Sequence, residues 1–582
     1  MKTLNLWMLR ILSFIVAAVA LSNTVTAQDQ SAQKANASAK VISGRVTTSD
    51  SLSPANARVT IGRSNTSGLF QGQTVRVDSE GNFVSGPLEP GLYIVSVYMP
   101  GLIRDPTATA MSPYFRPGDT VDFKMIRGGV ITGSVKNADG QGIVAIPVRA
   151  IRTRGANGDP LPFQGATRDM MTDDRGIYRI YGLAPGTYIV SAGGQSRTFS
   201  PITVSAYETF VPTYAPAATR DTASEIQVSN GTESQADIQF REEHGHVISG
   251  TVTGAATSDG FQQYSAGVVV YDSQNRAEVG TASAISSGNF SFAVYGVMDG
   301  DYEISATQGS STNDQLASPP TRFKVQGADV TGLRLTVAPL ASIEGRVVFE
   351  SDPKAVCAKR RASAMAETII NGRRYEPRSA PKDATADVPL IARTSGRAAT
   401  VDARGVFSMK NLPPGTYQID PAAPASGWYV RSVALDRNPA VNIARDGMFL
   451  KRGDRVNGLT VTFTEGAGQF LGHLSAAEGQ SLPLKMRVYL VPEDRLLAAN
   501  LYRFYETGAN KDGSFTIDNI APGKYLVIAR RTEETESGAP KLVRLDEALR
   551  AAVLKEAEAQ KKAVAFKPCE QIADFDLPLA PR

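Results

Sequence analysis

The 582-residue chain writes one short phrase five times. A phrase repeated with fixed internal spacing restricts a chain to multiple copies of one folding unit. The phrase is Gly, one residue, an aromatic, an alternating run, then Pro-Gly-x-Tyr. Its second copy runs Asp173-Asp174-Arg175-Gly176-Ile177-Tyr178-Arg179-Ile180-Tyr181-Gly182-Leu183-Ala184-Pro185-Gly186-Thr187-Tyr188. The paired glycines are Gly81/Gly91, Gly176/Gly186, Gly405/Gly415 and Gly513/Gly523, ten apart each time. The third pair, Gly288/Gly300, is two residues longer and has Asp299 in place of Pro. The closing tyrosines are Tyr93, Tyr188, Tyr302, Tyr417 and Tyr525. Constant spacing between glycines means a constant strand length between turns. Asp-x-x-Gly predicts a turn, with the carboxylate taking backbone N–H bonds and Gly taking positive φ. Tyr178, Ile180 and Leu183 alternate with polar residues as a half-buried strand does. Pro-Gly predicts a second turn, with Gly at its third position. Gly300 is expected to fill the same turn position in the third repeat. Tyr188, Val190 and Ala192 share the next strand's inner face, which places the ring in the core and the hydroxyl at its rim.

Two further phrases recur. Each repeat opens on apolar-x-Gly-x-apolar: Ile42-Ser43-Gly44-Arg45-Val46, Ile131 to Val135, Ile248 to Val252, Ile343 to Val347, and Phe470-Leu471-Gly472-His473-Leu474. The first four close on a polar Gly turn and an alternating strand, as in Pro117 to Met125 and Arg452 to Phe463. With Gly 52 and Pro 33, the composition suits many short strands joined by turns. The expectation is an all-β tandem array of about five Greek-key, transthyretin- or Ig-like β-sandwiches. Their predicted bounds are 41–126, 127–241, 242–338, 339–465 and 466–582. The last adds an amphipathic helix from Asp546 to about Lys561, on which Leu545, Leu549, Ala552 and Val553 recur at helical spacing, and a closing strand within 565–579. Insertions at 193–225 and 354–398 vary the loops.

Residues 1–27 read as a signal peptide: Lys2 and Arg10 precede an apolar run from Ile11 to Leu21, and Val25-Thr26-Ala27 offers a cleavage site. Residues 28–40 are small and polar and predict a disordered linker. The run is too short to span a bilayer comfortably, and no second apolar stretch of 18 or more residues follows. The expectation is an exported protein, periplasmic or extracellular, with no stable membrane insertion after cleavage. A net charge of +4 without a basic stripe leaves no footprint for nucleic acid. Cys357 and Cys569 are the only cysteines. In an oxidising compartment they can pair, tying the fourth repeat to the C-terminal tail, or remain two buried thiols.

Taken together, the three phrases resemble the carboxypeptidase regulatory-like domain, a seven-stranded transthyretin-like β-sandwich also grouped with carbohydrate-binding-like folds. The resemblance covers most of residues 41–545 and is weakest in the third repeat, which lacks the Asp and the Pro. It implies an accessory or interaction module without catalytic residues of its own, in an exported bacterial protein.

The residues themselves offer little chemistry. None of His244, His246 and His473 begins a His-x-x-Glu, so no zinc peptidase core is present. His244-Gly245-His246 can aim two rings at one side of a strand, but no third ligand is near in sequence. Asp78, Asp173-Asp174, Asp402 and Asp512 stand alone in their turns, which suits turn chemistry and not a calcium loop. No Glu occupies Val97, Ala192, Ala306, Pro421 or Ala529, where a self-crosslinking adhesin repeat would need one. No Ser elbow or phosphate loop occurs. The expectation is therefore no enzyme, no cofactor and no metal. Sugar sites on β-sandwiches use exposed aromatic faces. Trp428-Tyr429 is the leading candidate, with Tyr207/Phe210/Tyr214 and Tyr502/Phe504/Tyr505 behind it. The competing reading is ordinary packing, one ring in and one out. The chain reads as a non-catalytic multi-domain binding protein with a polysaccharide or an envelope protein as partner, or as a spacer and interaction scaffold.

Overall fold

The computed structural model describes residues 41–579 except 50–51, 65–71, 106–113, 157, 159, 162–165, 196–205, 256–264, 275–276, 286–288, 310–313, 353–354, 356, 358–363, 376–396, 437–441, 477–481, 484 and 532–541. The predicted signal peptide and linker, Gly288 and most of the 354–398 insertion lie outside the described residues. The described chain is built of strands, in pairs of facing sheets repeated along the sequence. It is a tandem all-β sandwich array.

In the second module, Gly129–Lys136 lies between antiparallel Ile177–Leu183 and parallel Glu233–Gln235. The facing sheet runs Ala166–Met171, Pro147–Arg154, Gly186–Ala192, with Ile226–Val228 on the last. Between them lies a core that includes Ile131, Val148, Tyr178, Ile180, Tyr188 and Phe240. The parallel pairing of the opening strand with the closing strand recurs: Ser43–Thr48 with Thr120–Arg127, His246–Thr253 with Val330–Thr336, Ala341–Glu350 with Arg455–Glu465, and Gly468–Ser475 with Gln571–Pro578. This pairing explains the glycine of the opening phrase. A Cβ on Gly133 would sit 2.0 Å from the Ala236 carbonyl, and Gly44, Gly250, Gly345 and Gly472 meet their own parallel partners in the same way. Only Gly permits so close a backbone approach.

All five closing tyrosines are buried. The hydroxyls are not free at the rim. Each donates to the carbonyl four residues upstream: Tyr93 to Glu89, Tyr188 to Ala184, Tyr302 to Met298, Tyr417 to Pro413 and Tyr525 to Ala521, at 2.7–3.0 Å. The bond closes the loop entering the strand, so ring burial and loop geometry are fixed by one side chain. Burial pushes the Tyr302 phenol up to about 12 and the Tyr417 and Tyr525 phenols upward as well.

The predicted Pro-Gly turn is corrected. Gly91, Gly186, Gly415 and Gly523 have φ of 144–159°, and Gly186, Gly415 and Gly523 open their strands. A left-handed bulge residue lies four positions earlier, inside the preceding strand, at Gly182, Gly296, Asn411 and Asn519, with φ of 60–70°. Gly300 departs furthest from its expected role as a turn glycine. It is the first residue of the strand Gly300–Gly309, paired antiparallel with Val325, and its φ is outside the positive range that the other four share. The physical reason is that the strand begins at Gly300 itself and pairs there as extended backbone, so no positive φ is needed. Nor does close backbone approach require a glycine there: a Cβ on Gly300 would meet only the Tyr302 side chain, at 3.1–3.3 Å.

The Asp turns are as expected in chemistry. Asp173 Oδ1 accepts from the Arg175 and Ile177 amides, and Asp78 and Asp402 repeat the pattern. In the fifth repeat the turn closes on Asn510, while Asp512 accepts from the Ser514 amide.

The helix Glu547–Gln560 is capped by Asp546, whose carboxylate accepts from the Leu549 amide. Its buried face is rotated from the expected one. Arg550, Val553 and Ala557 are inside and Ala552 is exposed. Val553 and Ala557 pack with Tyr489, Val491, Leu526 and Ile528, on the outer face of the fifth module's sheet.

Within residues 126–582, which form one compact unit, the left-handed residues do a second job. Gly182 lies against Gly128 at the entry to the second module, and a Cβ on Gly128 would fall 2.5 Å from the Gly182 Cα. A Cβ on Gly296 would lie 2.5 Å from the Phe210 carbonyl of the preceding module. Asn411 Oδ1 accepts from the Gln315 amide at 2.7 Å, and Asn519 Oδ1 from the Gly427 amide at 3.1 Å. In the third, fourth and fifth modules the bulge is thus a contact to the module before it. The first repeat has Pro87 at that position, and Pro cannot take positive φ.

Candidate functional site

Asn519 leads directly to the place where the predicted aromatics converge. The strand Trp428–Leu435 pairs antiparallel with Arg455–Glu465 along the edge of the fourth module. Its first two residues, both half-buried, line a cavity of about 220 Å³. The opposite wall is the fifth module: Tyr502, Phe504, Tyr505, Asp518, Asn519 and Arg544. The structure therefore brings Trp428/Tyr429 and Tyr502/Phe504/Tyr505, named separately from sequence, into one site. The Trp428 ring meets Phe349 edge-on, 4.8 Å between centroids at 75°, and Phe349 stacks on Phe463. Trp428 is thus anchored to the fourth core on one side while facing the cavity on the other. The Arg503 guanidinium lies 5.5 Å from the Tyr429 ring centre, within cation–π range.

The floor is polar and buried. Tyr502 is buried within the fourth module's hydrophobic core although it belongs to the fifth module's chain, and its hydroxyl donates to the Ile419 carbonyl at 2.8 Å. Asp420 accepts from Arg373 at 3.1 Å and from Arg544 at 2.6 Å. Arg503 donates to the Val430 carbonyl, and Gln418 to the Leu545 carbonyl. Behind Arg544, Glu506 accepts from the Val543 and Arg544 amides and lies 3.4 Å from Arg487. Burial pushes the Glu506 carboxyl up against the pull of Arg487. Burial likewise lowers the Arg550 guanidinium, which donates to the Arg544 carbonyl. Buried carboxylates such as Asp420 and Glu506 repay their desolvation only with good geometry, and of these ion pairs the one between Asp420 and Arg544 joins the two modules.

Cys357 and Cys569 are disulfide-bonded, Cα to Cα 5.3 Å, across the same junction. Sequence left this pairing open. The other candidates go elsewhere. Tyr207 and Phe210 pack edge-on against Phe240 in the second core, and Tyr214 is buried beside Ile151 and Ile189. The His244 ring stacks on Phe210 at 4.2 Å, while His246 lies 3.2 Å from Asp299 and 3.8 Å from Asp329. The two rings have different partners, and among the described residues no group of three or more His, Cys, Asp or Glu side chains could hold a metal ion. The contact also gives Asp299 a role where the other repeats have Pro: it accepts from the Gly327 amide and pairs with His246.

Sequence reasoning missed Asn411 and Asn519. A signal was present: the position four before the second glycine of each phrase holds Gly182, Gly296, Asn411 and Asn519, and Gly and Asn are the residues that tolerate the left-handed conformation.

No protein-family model matches the sequence, and no curated protein is similar enough to count as a relative. Solved structures with some likeness include the Bacillus anthracis TIE protein, at 13% identity and TM-score 0.14, covering 70% of this chain and 69% of that one. Others are a streptococcal ancillary pilin, at 11% and 0.15 over 52% and 99% of the two chains, and two B repeat units of the Staphylococcus aureus collagen binding protein, at 11% and 0.13 over 70% and 94%. Likenesses at TM-scores this low carry no argument about what this chain does.

Proposed function

We propose that this is an exported, non-catalytic multi-module protein that binds carbohydrate at the junction of its fourth and fifth sandwiches. One observation carries the reading: aromatic rings from two modules, Trp428 and Tyr429 on one side and Tyr502 and Tyr505 on the other, line one cavity with Asn519 and Arg544 at its wall. Apolar ring faces with a few fixed polar groups are what a sugar ring needs. At about 220 Å³ the cavity falls below the roughly 300–1,000 Å³ of ordinary ligand pockets, so it accepts a single ring at a chain end and not a run of residues. The resemblance to carboxypeptidase regulatory-like repeats supports the same class, as an accessory module. Among the described residues no helix is long and apolar enough to cross a membrane.

The test is a polysaccharide and glycan retention screen on the chain from Gln28, beside Trp428→Ala and Tyr429→Ala. Retention lost in both variants supports the site. Retention that survives both moves it elsewhere, and no retention on any glycan removes the reading. The second reading is an envelope spacer or protein-interaction scaffold, favoured by the repeated docking of Gly296, Asn411 and Asn519 onto the module before. It expects a protein partner that co-purifies with the intact chain.

A further inference from the structure

The disulfide lies at one end of a continuous run of hydrogen bonds that ends in the cavity wall. The Cys569 amide donates to the Gly466 carbonyl at 2.9 Å. The Gly466 and Ala467 amides both donate to the Gly427 carbonyl at 3.0 Å. The Gly427 amide donates to Asn519 Oδ1 at 3.1 Å. Gly427 immediately precedes Trp428, and Trp428 and Asn519 both line the cavity. Gly466 and Ala467 are the linker from the fourth module to the fifth, and Gly466 is enclosed by Ala355, two residues before Cys357, and by Pro568, the residue before Cys569. The covalent bond therefore closes around the linker on which the aromatic wall hangs. Both cysteines are partly exposed, so a reductant can reach them.

We propose that the Cys357–Cys569 bond is a redox latch on this cavity: oxidised, it holds Gly427 and Trp428 against Asn519; reduced, it frees the linker and the aromatic wall loses its register. The chemistry is thiol–disulfide exchange with a dithiol reductant. One thiolate of the dithiol attacks a cysteine sulfur and displaces the other as thiolate, and its second thiol resolves the mixed disulfide. Two electrons and two protons pass to the protein, which gains two thiols, while the dithiol becomes a disulfide. That the latch controls binding rests on the carbohydrate reading above; that it controls the wall does not.

The experiment is hydrogen exchange on the full chain, oxidised and after dithiothreitol, with thiol counting to confirm reduction. The proposal expects the amides of Gly427, Gly466, Ala467 and Cys569 to exchange about tenfold faster or more on reduction, as local opening allows. The cores of the second and third modules should be unchanged, and reoxidation should restore protection. A Cys357→Ser/Cys569→Ser double variant should match the reduced chain. If it does not fold, the reversible reduction of the native chain decides. Unchanged exchange at those four amides in fully reduced protein overturns the latch. Glycan retention is then compared in both states. Retention lost on reduction supports the latch acting on binding, and retention equal in both states overturns that part. No retention in either state defeats the carbohydrate reading alone, and the exchange result still judges the latch.

Discussion

The third and fourth modules meet through the same device as the fourth and fifth, yet the two junctions differ in kind. At both, a left-handed Asn reaches back to a backbone amide of the module before, Asn411 to Gln315 and Asn519 to Gly427. At the first, what surrounds that bond is a surface clasp: Lys410 pairs with Asp314 at 3.1 Å and Arg452 reaches the Ala317 carbonyl. At the second, the cores are shared. Leu501 and Tyr502 of the fifth module are buried in the fourth core, a disulfide crosses the boundary, and a cavity opens beside it. A repeated sequence element can thus set where two modules touch while residues outside the repeat decide whether they merge. Residues 495–505 and the two cysteines, none of them part of the recurring phrases, make that difference.

Tyr502→Ala should cost about 3–5 kcal/mol, the range for emptying a buried aromatic site, in a chemical denaturation transition shared by the fourth and fifth modules, with the third unaffected. A loss confined to the fifth module would mean the cores are separate. Reduction of the disulfide should lower the same transition by about 2–4 kcal/mol.

Alkali should discriminate next. Burial raises the Tyr417, Tyr502 and Tyr525 phenols above the ordinary 10.0, and raises Tyr302 in the third module to about 12. A raised phenol keeps its full contribution below the unfolded value and loses it as pH climbs past about 10. A pH series of unfolding midpoints should therefore fall more steeply for the fourth and fifth modules, where burial raises Tyr375 and Tyr505 too, than for the third.

Asn411→Ala should cost about 2 kcal/mol, from a lost hydrogen bond and from Ala tolerating the left-handed region less well than Asn, whereas Asn411→Gly loses only the bond. X-ray scattering should show a wider spread of chain dimensions for Asn411→Ala than for Asn519→Ala, because the disulfide and shared core hold the latter junction. Lys410→Ala should change stability by less than about 1 kcal/mol, as a half-exposed ion pair does.

The repeat made the sandwich array legible, because spacing, alternation and turn chemistry are local and periodic. The tyrosine's burial was legible too, but its hydroxyl partner was not, since a bond to a carbonyl four residues back leaves no mark on composition. The Pro-Gly turn was misread for a related reason. The left-handed residue is the bulge at Gly182 and its equivalents, while in the second repeat a Cβ on Gly186 would meet the Arg154 carbonyl at 2.3 Å. Gly300 shares the spacing to its tyrosine but not that close approach, so its place in the phrase misled about its conformation. Of the site, Trp428, Tyr429 and the cysteines could be named individually. That Tyr502 would complete another module's core could not be read, because the two segments are far apart in sequence and no periodicity links them. Arg550 disguised the helix's inner face for the opposite reason: a charge at a core position reads as surface until its carbonyl partner is seen.

Native-state hydrogen exchange along a denaturant series reads whether the fourth and fifth modules open as one cooperative unit around a shared site. The amides to follow are Ile419 and Val461 in the fourth core and Val488 and Val527 in the fifth. The account predicts that all four converge on one opening free energy, distinct from that of Ile304 and Leu335 in the third. Two separate free energies, one for each module, would contradict it.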